Sequence, residues 1–199
     1  VQVNPKVGLS FADALRSILR QDPDKIMIGE IRDHETLEIA IKAALTGHLV
    51  ISTLHTNDAI SAIPRMSDMG IEPYLISGAL VAVQAQRLVR KICNYCKKEV
   101  DIPQTLLQEY SSFIPPHTVF YEGAGCKECN GSGYMGREMI CEVLPITEEI
   151  SSMIARGASK DDLLKEAKRE GFVGMFENGM AKAVHGITTF DEILRVAKG

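Results

Sequence analysis

Apolar positions along the first part of the chain switch between helical and strand-like spacing. Phe11, Leu15, Ile18 and Leu19 share one face of a helix predicted over 10–21, which Pro23 closes. A short apolar run at 26–29 reads as a buried strand. Leu37, Ala40, Ile41, Ala44 and Leu45 then recur at helical spacing over 35–45, with Glu35, Glu38 and Lys42 opposite and Gly47 as the stop. The run 48–54, His-Leu-Val-Ile-Ser-Thr-Leu, reads as a second buried strand. Asp58 is placed to cap a helix over 59–69 that ends at Gly70. Strand, helix, strand, helix with short links predicts a parallel sheet covered by helices. Residues 1–4 read as the end of a further strand, and 74–91 as nearly all helical.

The pattern weakens over 93–141, where glycine, proline and cysteine accumulate. That stretch reads as a small insert held by something other than a hydrophobic core. Helical periodicity returns after Leu144. Thr147, Ser159-x-x-Asp162 and Thr189-x-x-Glu192 look like helix starts, so three or four short helices are expected up to Ala197. The expected division is 1–92, 93–141 and 142–199.

Composition narrows the class. At 199 residues, 24% charged and 45% hydrophobic, the chain is globular. A net charge of −4 argues against nonspecific nucleic-acid binding, and no apolar run is long enough to span a bilayer. No signal peptide is visible. The first residue is Val1 rather than Met, which reads as a piece of a longer protein.

The cysteines carry the strongest local signal. Cys93-x-x-Cys96 and Cys126-x-x-Cys129 are two knuckles separated by the 29 residues 97–125. Each knuckle presents two thiolates to one ion, and two complete a tetrahedral shell for Zn²⁺. Four protein ligands leave no open coordination position, so the expected site is structural. Gly131 and Gly133 allow a tight turn beside it. Cys141 is left over and reads as a small core residue.

A second signal is a carboxylate at a strand end. Ile26–Ile28 runs into Gly29-Glu30-Ile31-Arg32-Asp33, and open α/β sheets build phosphate and water sites at such ends. Glu30 is thus a candidate Walker-B-type acid. Thr53, His55 and Asn57 would emerge beside it if the two strands are neighbours. Arg16 and Arg20 lie one helical turn apart, and Arg32 follows Glu30 closely. Arg65 sits on the next helix. Clustered arginines around a carboxylate suit phosphate oxygens.

In this order these motifs resemble the secretion and pilus-assembly ATPases, the type II secretion ATPase and the type IV pilus extension ATPase. The matching text is Leu15-Arg16-x-x-Leu19-Arg20-Gln21-Asp22-Pro23-Asp24, then Gly29 to Asp33, then Thr46-Gly47-His48 through Asn57. It continues through Ala85-Gln86-Arg87-Leu88, the cysteine knuckles and Gly186-Ile187-Thr188-Thr189. The resemblance implies an α/β fold: the carboxyl-terminal half of a RecA-like parallel sheet, a four-cysteine zinc subdomain and a carboxyl-terminal helical bundle. It implies that Glu30 polarises the attacking water and that His48 and His55 form a histidine box in a common pocket. Arg16, Arg20 and Arg32, with Thr53, would reach nucleotide phosphate. ATP and Mg²⁺ would serve the full-length protein, a homo-hexamer docked on an inner-membrane platform protein at the cytoplasmic face.

One departure stands out. No G-x-x-x-x-G-K-[ST] loop occurs in the 199 residues, and phosphoryl transfer needs that cradle. The resemblance places the loop upstream, so this chain by itself is expected to be inactive. The alternative is a zinc-stabilised assembly or docking module without catalysis of its own. Retraction motors of the same superfamily generally lack the four cysteines, which favours an extension or secretion motor; pilus and secretion branches remain open.

Overall fold

The structure, a computed structural model, describes residues 10–197. The strand expected over 1–4 lies outside the described residues. Two compact units divide the chain. One runs to Val83 and resumes over Leu144–Gly171; the other takes Gln84–Val143 and resumes at Phe172.

The first unit begins with α1 (Phe11–Leu19), whose N-cap Ser10 accepts a hydrogen bond from the Asp13 N–H. After β1 (Lys25–Ile28), Asp33 caps α2 (His34–Leu45) in the same way, through the Thr36 N–H. Gly47, at φ +103°, then turns the chain into β2 (Leu49–Ser52). β1 and β2 are parallel, in the register Ile26↔Val50 and Ile28↔Ser52. The expected Asp58 cap acts one turn early: its carboxylate receives the Ser61 N–H and hydroxyl just ahead of α3 (Ala62–Asp68). α4 (Pro73–Ala79), α6 (Glu148–Ala155) and α7 (Lys160–Arg169) complete this unit.

Both strands were expected to be buried, and they are not. Ile26 and Ile28 face the core, but Met27 is 81% exposed and Ile51 53%. Among the described residues, helices cover this strand pair on one face only.

The second unit corrects two expectations. Residues 82–92 form an eleven-residue strand, β3 (Ala82–Ile92), not a helix. Its exposure alternates along the chain, and it pairs with β6 (Tyr134–Pro145). Non-local pairing overrides the helix-forming Ala, Gln, Leu and Arg in this run. The 93–141 stretch, in turn, has a core. β4 (Lys97–Val100) and β5 (Phe120–Gly123) form an antiparallel pair, preceding and following α5 (Gln104–Glu109). Tyr110, Phe120 and Ile140 are buried with Met175, Met180 and Phe190. Those last residues belong to α8 (Met175–Val184) and α9 (Phe190–Ala197). Edge-on ring contacts tie the set together, Phe120–Phe190 at 5.5 Å and Tyr110–Phe190 at 5.7 Å.

The four helices after Leu144 are divided between the two units. α6 and α7 belong to the first unit, α8 and α9 to the second. Compactness cuts across the boundaries 1–92, 93–141 and 142–199, because residues far apart in sequence share each core.

Candidate functional site: a carboxylate at the end of two parallel strands and a four-cysteine cluster

Glu30 lies just past the carboxyl end of β1, and its side chain is 24% exposed. Period-two geometry puts residues 30 and 32 on the same side of the extended chain. Arg32 donates from Nε to Glu30 Oε2 at 2.6 Å, with Nη2 at 2.5 Å. His55 Nε2 contacts the other oxygen, Oε1, which is itself shielded from solvent. The Arg32 guanidinium holds the Glu30 carboxyl below its ordinary range, against the opposing effect of partial burial, and His55 adds to the lowering. The group is therefore an ionised acceptor.

His55 reaches Glu30 because β2 runs parallel beside β1. Thr53 fixes the two strand ends together. Its hydroxyl donates to the Gly29 carbonyl at 2.7 Å, and its carbonyl accepts the Ile31 N–H at 3.1 Å. An open cleft of about 220 Å³ is lined by His55, Thr56 and Asn57. Thr53 was expected at a phosphate, yet its one donor proton is already directed at Gly29.

His48 departs from the expected pocket. Its Nδ1–H donates to the Ala43 carbonyl at 3.0 Å, closing the carboxyl end of α2. Lys25 pairs with Leu49, so His48 precedes β2 at the end opposite Glu30. At about 3.3 Å per residue, the strand holds it on the order of 15 Å away. The two histidines flanking β2 cannot share one pocket, because the strand between them is extended.

The arginines also separate. Arg16 donates to Glu35 at 2.6 Å and to Asp13 at 3.3 Å, tying α1 to the first turn of α2. Arg20 is exposed and has no acidic partner among the described residues. Arg65 is exposed on α3.

In the second unit the cysteines meet. The Sγ atoms of Cys93, Cys96, Cys126 and Cys129 all lie within 4.8 Å of one another. Cys93–Cys126, Cys96–Cys129 and Cys126–Cys129 are 3.8, 3.9 and 3.6 Å apart. A tetrahedral ion with bonds of about 2.3 Å places its sulfurs roughly 3.8 Å apart, so this donor set fits a zinc-sized ion. The thiols sit in opposed environments. The Cys126 N–H, aided by that of Gly133, lowers Cys129 to about 6, whereas burial pushes Cys96 up to about 12. Gly123 and Gly133 bring the two arms of this region backbone to backbone. A Cβ on Gly123 would stand 2.0 Å from the Gly133 carbonyl oxygen.

Glu192, which the sequence marks only as part of a helix start, is held in a buried ion-pair network. It is 1% exposed and accepts from the Arg90 N–H at 3.0 Å, Arg90 Nη2 at 2.7 Å and Arg195 Nη2 at 2.6 Å. Arg90 also stacks 4.0 Å above the Tyr134 ring. An acid next to Phe190 and Ile193 on a strongly amphipathic helix was the available signal.

Comparison with known proteins gives a consistent picture. Residues 1–195 match the family model described as type II/IV secretion system protein. The type IV pilus assembly ATPase PilB of Thermus thermophilus is 52% identical over 195 residues, covering 97% of this chain and 22% of that protein. The type II secretion system protein E of Klebsiella pneumoniae is 45% identical over 197 residues, 99% of this chain and 39% of that protein. The chain thus spans well under half the length of these curated relatives. A crystal structure of the pilus retraction motor PilT with bound ADP superposes with a TM-score of 0.67 at 28% identity. That superposition covers 96% of this chain and 44% of that one. The ATPase DotB of Legionella pneumophila, at 24% identity and a TM-score of 0.65, covers 96% of this chain and 43% of its own, and shares the fold.

Proposed function

The chain belongs to the type II/IV secretion system protein family, and on that footing we propose that it is the carboxyl-terminal part of an ATP-driven motor for pilus assembly or type II secretion. The observation that carries this reading is the meeting of Glu30 and His55 at the carboxyl ends of two adjacent parallel strands. Ligands of open α/β sheets bind at such ends. A carboxylate held ionised there can accept a hydrogen bond from a water and aim it at a phosphoryl group.

Glu30 is the proposed water-orienting residue, and His55, which contacts its carboxylate, borders the adjacent cleft. Arg20, like Arg65, has no acidic partner among the described residues to leave before it meets a phosphate. Arg16 and Arg32 would first have to exchange a carboxylate for it. His48 serves the fold of this unit. ATP and Mg²⁺ would be held mainly by a glycine-rich lysine loop, which this sequence does not contain. Activity would therefore belong to a longer protein, working as a homo-hexamer on an inner-membrane platform protein at the cytoplasmic face. No helix among the described residues is long and apolar enough to cross a membrane. The four cysteines would hold one structural Zn²⁺.

The test is made in the full-length protein. Glu30→Gln keeps the shape and removes the charge, so kcat should fall by roughly a hundredfold or more while nucleotide binding persists. An unchanged kcat would reject the role.

A further inference from the structure

Glu30 sits outside β1, on a segment that begins with Gly29, the residue with the least backbone restraint. A carboxylate that must aim a water cannot tolerate a loose backbone. One residue of the neighbouring strand holds both peptide units around it. The Thr53 hydroxyl donates to the Gly29 carbonyl at 2.7 Å, on the amino side of Glu30. The Thr53 carbonyl accepts the Ile31 N–H at 3.1 Å, on the carboxyl side. The Ile31 side chain, 6% exposed, anchors that peptide in the core.

We propose that Thr53 is a positioning residue: it clamps the backbone on both sides of Glu30 and so fixes the direction of the carboxylate. This rests on the reading of Glu30 as the water-orienting acid. Two physical points separate the clamp from a phosphate contact. A hydroxyl has one proton to donate, and here it points at a carbonyl, so phosphate oxygens, which only accept, gain nothing from it. Threonine is also stiff about χ1, so its branched Cβ holds that direction. The same residue lies two positions before His55, and the clamp therefore sets His55 against Glu30 as well.

The experiment uses the full-length protein with ATP as substrate and ADP as the binding probe. Thr53→Val keeps the shape and removes the donor. It should lower kcat roughly ten- to a hundredfold with the KM for ATP and the Kd for ADP unchanged. Thr53→Ser should restore most of the rate, and Thr53→Val should add nothing in a Glu30→Gln background, because both act through one group. Thr53→Ala gives the same reading should valine disturb folding. Weakened ADP binding with kcat preserved would overturn the clamp in favour of a phosphate contact. So would unchanged turnover in Thr53→Val, or a loss that multiplies with that of Glu30→Gln. A Glu30→Gln protein with full turnover would overturn the reading of Glu30 itself, and the clamp with it.

Discussion

Arg90 and Glu192, 102 residues apart in sequence, are joined by three hydrogen bonds, one from the Arg90 backbone N–H and two from its guanidinium. Burial alone would raise the Glu192 carboxyl. The Arg195 and Arg90 guanidiniums override it and lower the group to about 2. A depressed carboxylate stabilises the fold at pH above its unfolded value, 4.5, and that stability fades as pH falls towards 2. Glu192→Gln should cost about 1–2 kcal/mol at neutral pH, because a buried carboxylate gives up charge-assisted hydrogen bonds to two guanidiniums that water can partly solvate. Urea unfolding of both proteins across pH checks this. The gap should be constant above pH 5 or so and close as the solution is acidified.

Gly123 and Gly133 predict a sharp contrast among glycine substitutions. Gly123→Ala would drive a Cβ into the Gly133 carbonyl, where nothing flexible can yield. A loss of about 3 kcal/mol is expected, with weaker metal binding, since these arms carry the cysteines. Gly136 has φ +75° but open space around a Cβ, so Gly136→Ala should cost only about 1 kcal/mol. Thermal unfolding and a zinc titration on the two variants compare them.

Metal content gives an independent check. One zinc per chain is expected, and removing it should first raise amide exchange around the knuckles 93–96 and 126–133. Cys96→Ser should lower the zinc bound per chain. A metal content far below one per chain would reject the site.

The isolated chain should hydrolyse ATP negligibly, since it contains no glycine-rich lysine loop to cradle the phosphates. Steady-state phosphate release measures this. A Glu30-dependent turnover by the 199 residues alone would contradict it.

What could be read from the sequence was local. Thr147 and Ser159 cap helices at the expected positions, because a cap involves residues three apart. The cysteine spacing pointed to the cluster because each knuckle is a short-range unit. What escaped required long-range pairing. The strand at 82–92 depends on a partner about fifty residues later, which outweighs its helix-forming composition. The separation of His48 from Glu30 follows from the register Lys25↔Leu49, which a run of apolar letters does not contain. The Thr53 clamp, likewise, exists only once the parallel strands are aligned.

The most direct measurement is a crystal structure of the full-length protein with a non-hydrolysable ATP analogue and Mg²⁺. The expected density places the Glu30 carboxylate within hydrogen-bond reach of a water in line with the terminal phosphate, with His55 bordering the same pocket. A nucleotide bound elsewhere, with Glu30 turned away from every phosphate, would contradict the assignment of this strand end as the motor's reaction centre.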